Sequence, residues 1–154
     1  MKEMFRQQCL AWCKQNESVC VLTPDYGYGF TNGMPAERVF KFGPMEQSVI
    51  GIAAGMAIAG KLPIVYGITP FIVERAFEQL KLDIDQQQLK TIIVCYSDYP
   101  ADGPTHVELN CRHMMKLLTW FEYHEPVSAE DCSVALAASY ASSRASLIKL
   151  RRLP

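Results

Sequence analysis

The order of apolar and polar residues divides this chain into alternating helix and strand patterns. Residues 2–15 put Met4, Phe5, Leu10, Trp12 and Cys13 on one side of a helical period, so the chain opens on an amphipathic helix. Residues 19–22, Val-Cys-Val-Leu, read as a short buried strand. A loop spans 23–35 and holds Asp25, Tyr26, Tyr28 and Phe30; so many aromatics predict a loop pinned against another surface, such as another chain. A second strand is expected over 38–42, a long helix to residue 59, and a third strand over 62–68. Residues 71–82 follow as a helix, with Phe71, Ala76, Phe77 and Leu80 inward. The unbroken apolar run 91–96 is typical of a central parallel strand. A Gly/Pro/Asp loop over 97–106 leads to a helix over 108–118 and a strand over 120–123. Ser128-Ala129-Glu130-Asp131 resembles a capping box that opens a helix to about residue 143, and residues 147–150 form the last strand.

Strands that alternate with helices in this way predict an α/β fold: a doubly wound, mainly parallel sheet of about six strands with helices on both faces. No internal repeat or linker divides the chain, so residues 1–154 are expected to form a single domain.

The stretch from Gly43 to Gly60 is the most unusual. Gly43 permits a turn, Pro44 is pre-set for a first helical position, and Gly60 suits a left-handed helix end. Between them, Gly51, Ala53, Ala54, Gly55, Ala57 and Ala59 leave almost no side-chain bulk. Interior glycines cost about 1 kcal/mol each against alanine, so another backbone is expected to pack closely there. Glu46, the one charge in this helix, sits in its first turn, where the helix dipole favours an anion. It is either a cap or a chemical group.

Composition narrows the function classes. The net charge is −1 with 49% hydrophobic residues, and the basic residues are scattered, which predicts a soluble protein with no nucleic-acid footprint. No apolar run reaches the roughly 18 residues of a membrane span, and the first residues lack a signal-peptide pattern. Six cysteines occur without a CxxC pair, so they read as buried reduced thiols of a cytoplasmic protein rather than metal ligands or a disulfide frame.

In such a sheet, ligands bind beyond the carboxyl ends of the strands. Three candidates fall there: Glu46 after the second strand, Phe71 after the third and His106 after the fourth. Each has an ordinary reading as a helix cap, a core aromatic or a loop histidine; their shared edge strengthens the joint case.

The motifs on these residues resemble the transketolase family. Phe42-Gly43-Pro44-Met45-Glu46-Gln47, followed by Val49-Ile50-Gly51-Ile52-Ala53-Ala54-Gly55-Met56-Ala57, is similar to the helix of its pyrimidine-binding domain, which carries an Ala-Glu-Gln core and a Gly-Ile-Ala-Ala-Gly run. Phe71 with Arg75-Ala76-Phe77-Glu78-Gln79 resembles the family's aromatic-rich helix start, and Asp102-Gly103-Pro104-Thr105-His106 its Asp-Gly-x-Thr-His loop. The resemblance implies the thiamine diphosphate-binding fold, pyrimidine type, and names thiamine diphosphate as cofactor. It also implies roles. Glu46 hydrogen-bonds the N1′ nitrogen of the aminopyrimidine and so favours the tautomer that takes the thiazolium proton. Gln47 lies beside it, Phe71 stacks on the pyrimidine, and His106 and Asp25 face the substrate.

The chain also departs from the family. Ser48 stands where the family has asparagine, Tyr99-Pro100-Ala101 replaces its usual turn, and Ile68 and Glu74 stand where further ring-facing aromatics are common. No Gly-Asp-Gly with a downstream asparagine, the family's magnesium-diphosphate signature, occurs, so no metal site is expected on this chain. The sequence also ends where full-length transketolases continue into a third domain. These features together predict one subunit of a split enzyme. A larger subunit would bind the diphosphate and Mg2+, two copies of each chain would form a heterotetramer, and the cofactor would lie across the interface. The expected reaction is two-carbon ketol or acyl transfer on a sugar. Alternatives are a decarboxylase or carboligase of the same cofactor class acting on a 2-oxo acid, and a non-catalytic assembly module.

Overall fold

Short runs of aliphatic residues build one parallel sheet of six strands. They are β1 (Val19–Thr23), β2 (Val39–Lys41), β3 (Leu62–Ile68), β4 (Ile92–Tyr96), β5 (Phe121–His124) and β6 (Ala145–Leu150). The spatial order is β2-β1-β3-β4-β6-β5, and every adjacent pair is parallel. The computed structural model describes residues 1–24, 29–96 and 102–151. Strand order reverses between β1 and β3, which creates the crevice where open α/β sheets bind ligands.

Both faces of the sheet are covered, which explains strands that are apolar throughout rather than alternating. On one face, α1 (Lys2–Gln15) and α5 (Ala129–Ala141) bury Phe5, Cys9, Trp12, Cys132 and Leu136 against Val21, Ile64, Val94 and Ile148. Trp12 stacks on Tyr140 at 4.8 Å, which ties the two helices together. The expected helix 2–15 is present, although Cys9 joins the buried stripe and Met4 and Leu10 are only half-buried. Phe30 is stacked between Phe5 and Tyr66 at 5.0 and 4.2 Å, so this loop aromatic is pinned within its own chain rather than by a partner. Asp25, Tyr26 and Tyr28 lie outside the described residues.

The other face carries α2 (Glu46–Ile58), a helical segment from Pro70 to Asp85 that includes α3 (Phe77–Gln79), and α4 (Cys111–Met115). The segment departs from a regular helix. Its first and last turns are π-helical, with Arg75 N donating to Pro70 O at 3.2 Å and Gln86 N to Lys81 O at 2.9 Å. The wider turn points both Ile72 and Val73 inward with Ala76 and Leu80, while Phe71 and Phe77, expected in the core, stay half-buried. The helix expected over 108–118 shortens to α4, because the Asn110 side chain accepts from His113 N at 3.0 Å and caps a later start. At α5, Ser128 Oγ accepts from Asp131 N at 3.0 Å, in agreement with the capping motif.

Gly60 takes the left-handed conformation, φ +80°, just beyond α2. No other backbone approaches Gly51 or Gly55: a Cβ at Gly51 would meet only an Asp83 oxygen at 3.5 Å, and one at Gly55 nothing within 4 Å. Among the described residues the expected close packing is therefore absent, and Ile52 and Ile58 on the same helix are exposed. All six cysteines are buried and free. Burial, with Cys111 alongside, pushes the Cys95 thiol well above its ordinary value, which makes it unreactive. Among the described residues no helix is long and apolar enough to cross a membrane, and no cluster of His, Cys, Asp or Glu is placed to hold a metal ion.

Candidate active site

Three successive strand ends deliver the candidate residues to one edge of the sheet. After β2, Met45 N donates to Gly43 O at 2.7 Å, and this tight turn starts α2 at Glu46. Glu46 is 3% exposed although it begins the helix. A carboxylate this deep needs a partner. Arg75 supplies it, with Nη1 donating to Glu46 Oε2 at 3.0 Å.

After β3, the chain turns at Thr69, whose buried hydroxyl donates to Tyr96 O at 2.6 Å and ties the β3 exit to the end of β4. Gly67 makes this turn possible. A Cβ there would stand 2.8 Å from Ile72 Cγ1, so only glycine lets Ile72 fold back over the strand. Pro70 then begins the helical segment, and its first turn presents Phe71 and Arg75 together. The Arg75 guanidinium lies over the Phe71 ring at 3.9 Å, a cation–π stack.

After β4, Gly103 at φ +105° admits a short 3-10 turn, Pro104–His106. The His106 imidazole meets the Phe71 ring edge-on at 4.8 Å and 64°. Its Nδ1 lies 3.2 Å from Thr105 Oγ1. Two contacts anchor the residues that follow: Glu74 Oε1 accepts from Leu109 N at 2.6 Å, and Lys149 of β6 pairs with Glu108.

Lys149 also reaches Glu125 at 3.6 Å, and Glu125 accepts from Arg112 at 2.8 Å, Arg151 at 2.6 Å and the Tyr123 hydroxyl at 3.0 Å. Burial alone would raise the Glu125 carboxyl, but the hydrogen bonds from Arg151, Arg112 and Tyr123 and the Lys149 charge outweigh it and hold the pKa at about 2.

Glu46, Arg75, Phe71 and His106 therefore form a continuous row. Its first, third and last members are the residues the sequence singled out; Arg75, which joins them, was quoted there only as part of a motif. Its signal was legible in part, because positions 71 and 75 share a helix face. The contact with Glu46 spans 29 residues and had no local sign. Gln47 is exposed beside Glu46 and stands outside the row, and Asp25 lies outside the described residues. Arg112, the cation nearest His106 in sequence, is engaged with Glu125, so the cation beside the histidine and aromatic pair is Arg75. Chemically the row offers a buried carboxylate, an aromatic face and an imidazole at the mouth of the sheet crevice.

The family described as the transketolase pyrimidine-binding domain matches residues 1–153. An apulose-4-phosphate transketolase subunit from Phocaeicola vulgatus is 32% identical over 117 residues, covering 71% of this chain and 37% of that protein. The 6-deoxy-6-sulfo-D-fructose transketolase subunit SqwH from a Clostridium species is 27% identical over 128 residues, covering 81% of this chain and 39% of that protein. Among solved structures, one described as a split gene transketolase, inactive beta4 tetramer, superimposes with a TM-score of 0.86 at 23% identity, over 97% of this chain and 50% of that one. The chain thus spans less than two fifths of these curated relatives, and the structural likeness concerns the fold.

Proposed function

Because the chain belongs to the transketolase pyrimidine-binding domain family, we propose that it is the pyrimidine-binding subunit of a split, thiamine diphosphate-dependent transketolase-like enzyme. Family membership implies thiamine diphosphate. Two curated relatives that carry the name of a transketolase subunit support the split arrangement. The observation that carries the reading is the row of Glu46, Arg75, Phe71 and His106 at the carboxyl edge of the sheet.

The residues present fit an aminopyrimidine. Among the described residues, the one hydrogen bond to the Glu46 carboxylate falls on Oε2, which leaves Oε1 to meet a ring nitrogen. Phe71 is half-buried and offers a face for stacking. When bound, thiamine diphosphate supplies the thiazolium carbon nucleophile for two-carbon transfer. Glu46 would hold the ring nitrogen, Phe71 would orient the ring, and Gln47 would flank it. His106, with Asp25, would hold the substrate hydroxyls. A separate, larger subunit would bind the diphosphate and Mg2+, in a cytoplasmic heterotetramer of two copies of each chain. The exposed Met45, Ile52 and Ile58 of α2 and its turn provide an apolar surface suited to that contact.

Calorimetry tests the division of labour. The purified chain with thiamine diphosphate and Mg2+ is expected to give no measurable heat, and its complex with the larger subunit micromolar binding. Micromolar binding by this chain alone would overturn the split-subunit reading.

A further inference from the structure

The centre of the row is Arg75, to which the reading above assigns no role toward the cofactor. Its guanidinium makes two directed contacts at once: Nη1 donates to Glu46 Oε2 at 3.0 Å, and the plane lies over the Phe71 ring at 3.9 Å. A surface arginine with a free choice of rotamers gains little from one ion pair. Here the partner carboxylate is 3% exposed, and the Arg75 side chain, though 42% exposed, is held by two contacts at once. The planar fork is thereby fixed between an acid and an aromatic ring that come from different strand exits.

The geometry points to Arg75 as a positioning residue for the cofactor ring. By taking Oε2 it fixes the plane of the Glu46 carboxylate and leaves Oε1 for the cofactor ring. By stacking over one face of the Phe71 ring, 3.9 Å from its centroid, it fixes the ring's orientation and leaves the opposite face for a ligand ring. The edge contact with His106 completes the row. The backbone supports this placement: the π-helical first turn sets Arg75 N on Pro70 O at 3.2 Å. Without Arg75, Glu46 would keep its place at the start of α2, but its carboxylate would lose its one described partner. This inference rests on the proposed cofactor role of Glu46.

The test uses the assembled complex with the larger subunit, thiamine diphosphate and Mg2+. Two quantities are read: cofactor affinity by calorimetry, and proton–deuterium exchange at the thiazolium carbon. Arg75→Met is expected to assemble normally, to bind cofactor about tenfold more weakly and to exchange about tenfold or more slowly, the usual scale for partners that orient a functional group. Arg75→Lys keeps one charged donor and should recover part of both losses. Added to Glu46→Gln, Arg75→Met should slow exchange by less than about twofold, because both changes act through one carboxylate. Should Arg75→Met fail to assemble, Arg75→Lys carries the test, with an intermediate loss expected.

Wild-type exchange and affinity in Arg75→Met or Arg75→Lys, with Glu46→Gln slow, would overturn the positioning role and leave the cofactor role of Glu46 intact. An additive loss in the double variant would do the same, since it marks a general structural effect. Tighter binding and faster exchange in Arg75→Met would also overturn it, because Arg75 would then compete with the ring for Glu46. If Glu46→Gln itself exchanges at the wild-type rate, the cofactor reading fails with it.

Discussion

Phe71 and His106 meet edge to face, their ring centroids 4.8 Å apart and their planes at 64°. One residue follows β3 and the other the loop after β4, so the contact joins the exits of two adjacent central strands. In the proposed function the two rings divide the labour, with Phe71 orienting the cofactor ring and His106 holding the substrate.

That division makes His106→Ala informative. The variant should keep cofactor affinity within about twofold, because Phe71 and Glu46 remain. Turnover should fall by about 10²-fold, the order lost when one hydrogen-bonding group at the reacting centre is removed. Steady-state kinetics and calorimetry on the assembled complex separate the two. Loss of cofactor with turnover preserved at saturation would place His106 on the cofactor instead.

The Glu125 network predicts an acid-labile edge of the sheet. Hydrogen bonds and nearby cations hold this carboxyl at about 2 against an ordinary value of 4.5. A depressed folded-state pKa contributes stability that is complete above the unfolded value and is lost as pH falls through the folded one. Wild type should therefore lose roughly 2–3 kcal/mol from this group between about pH 5 and pH 2. Glu125→Gln should be less stable at pH 7 and show a flatter stability profile over that range, read from urea titrations at each pH. Parallel profiles for the two proteins would contradict the assignment.

Two glycines should respond in opposite directions to alanine. At Gly67 a Cβ would press on Ile72 Cγ1 at 2.8 Å. Overpacking of this kind costs about 1–3 kcal/mol, and each kcal/mol lowers the melting temperature of a domain this size by about 2–4 °C. At Gly55 a Cβ meets nothing within 4 Å, so Gly55→Ala should stabilise the isolated chain by about 0.5–1 kcal/mol through helix propensity. Thermal melts of the two variants check both signs.

Much of this was legible in the chain itself. The 14 residues of α1 keep one helical period, and the apolar run of β4 announces a strand buried on both faces. Ser128 and Asp131 signalled the start of α5 by a hydrogen bond three residues long. The shared sheet edge of Glu46, Phe71 and His106 was legible because each follows a strand and sits in a motif. Local reasoning went astray where tertiary demands reset a helix. The π-type turns after Pro70 move Phe71 out of the core, and the Asn110 cap delays α4. It also missed the bridge from Arg75 to Glu46, which exists only once β3 has brought the start of α2 beside the segment that follows it.

The central claim is that the Glu46 carboxylate governs cofactor activation, and proton–deuterium exchange at the thiazolium carbon tests it most directly. Glu46→Gln keeps the shape of the side chain and should assemble with the larger subunit and bind cofactor. It should nevertheless exchange about 10²- to 10⁴-fold more slowly than wild type, the usual contribution of a positioned acid–base group. Exchange at the wild-type rate would make Glu46 no more than the buried, arginine-paired start of α2 and would contradict the account.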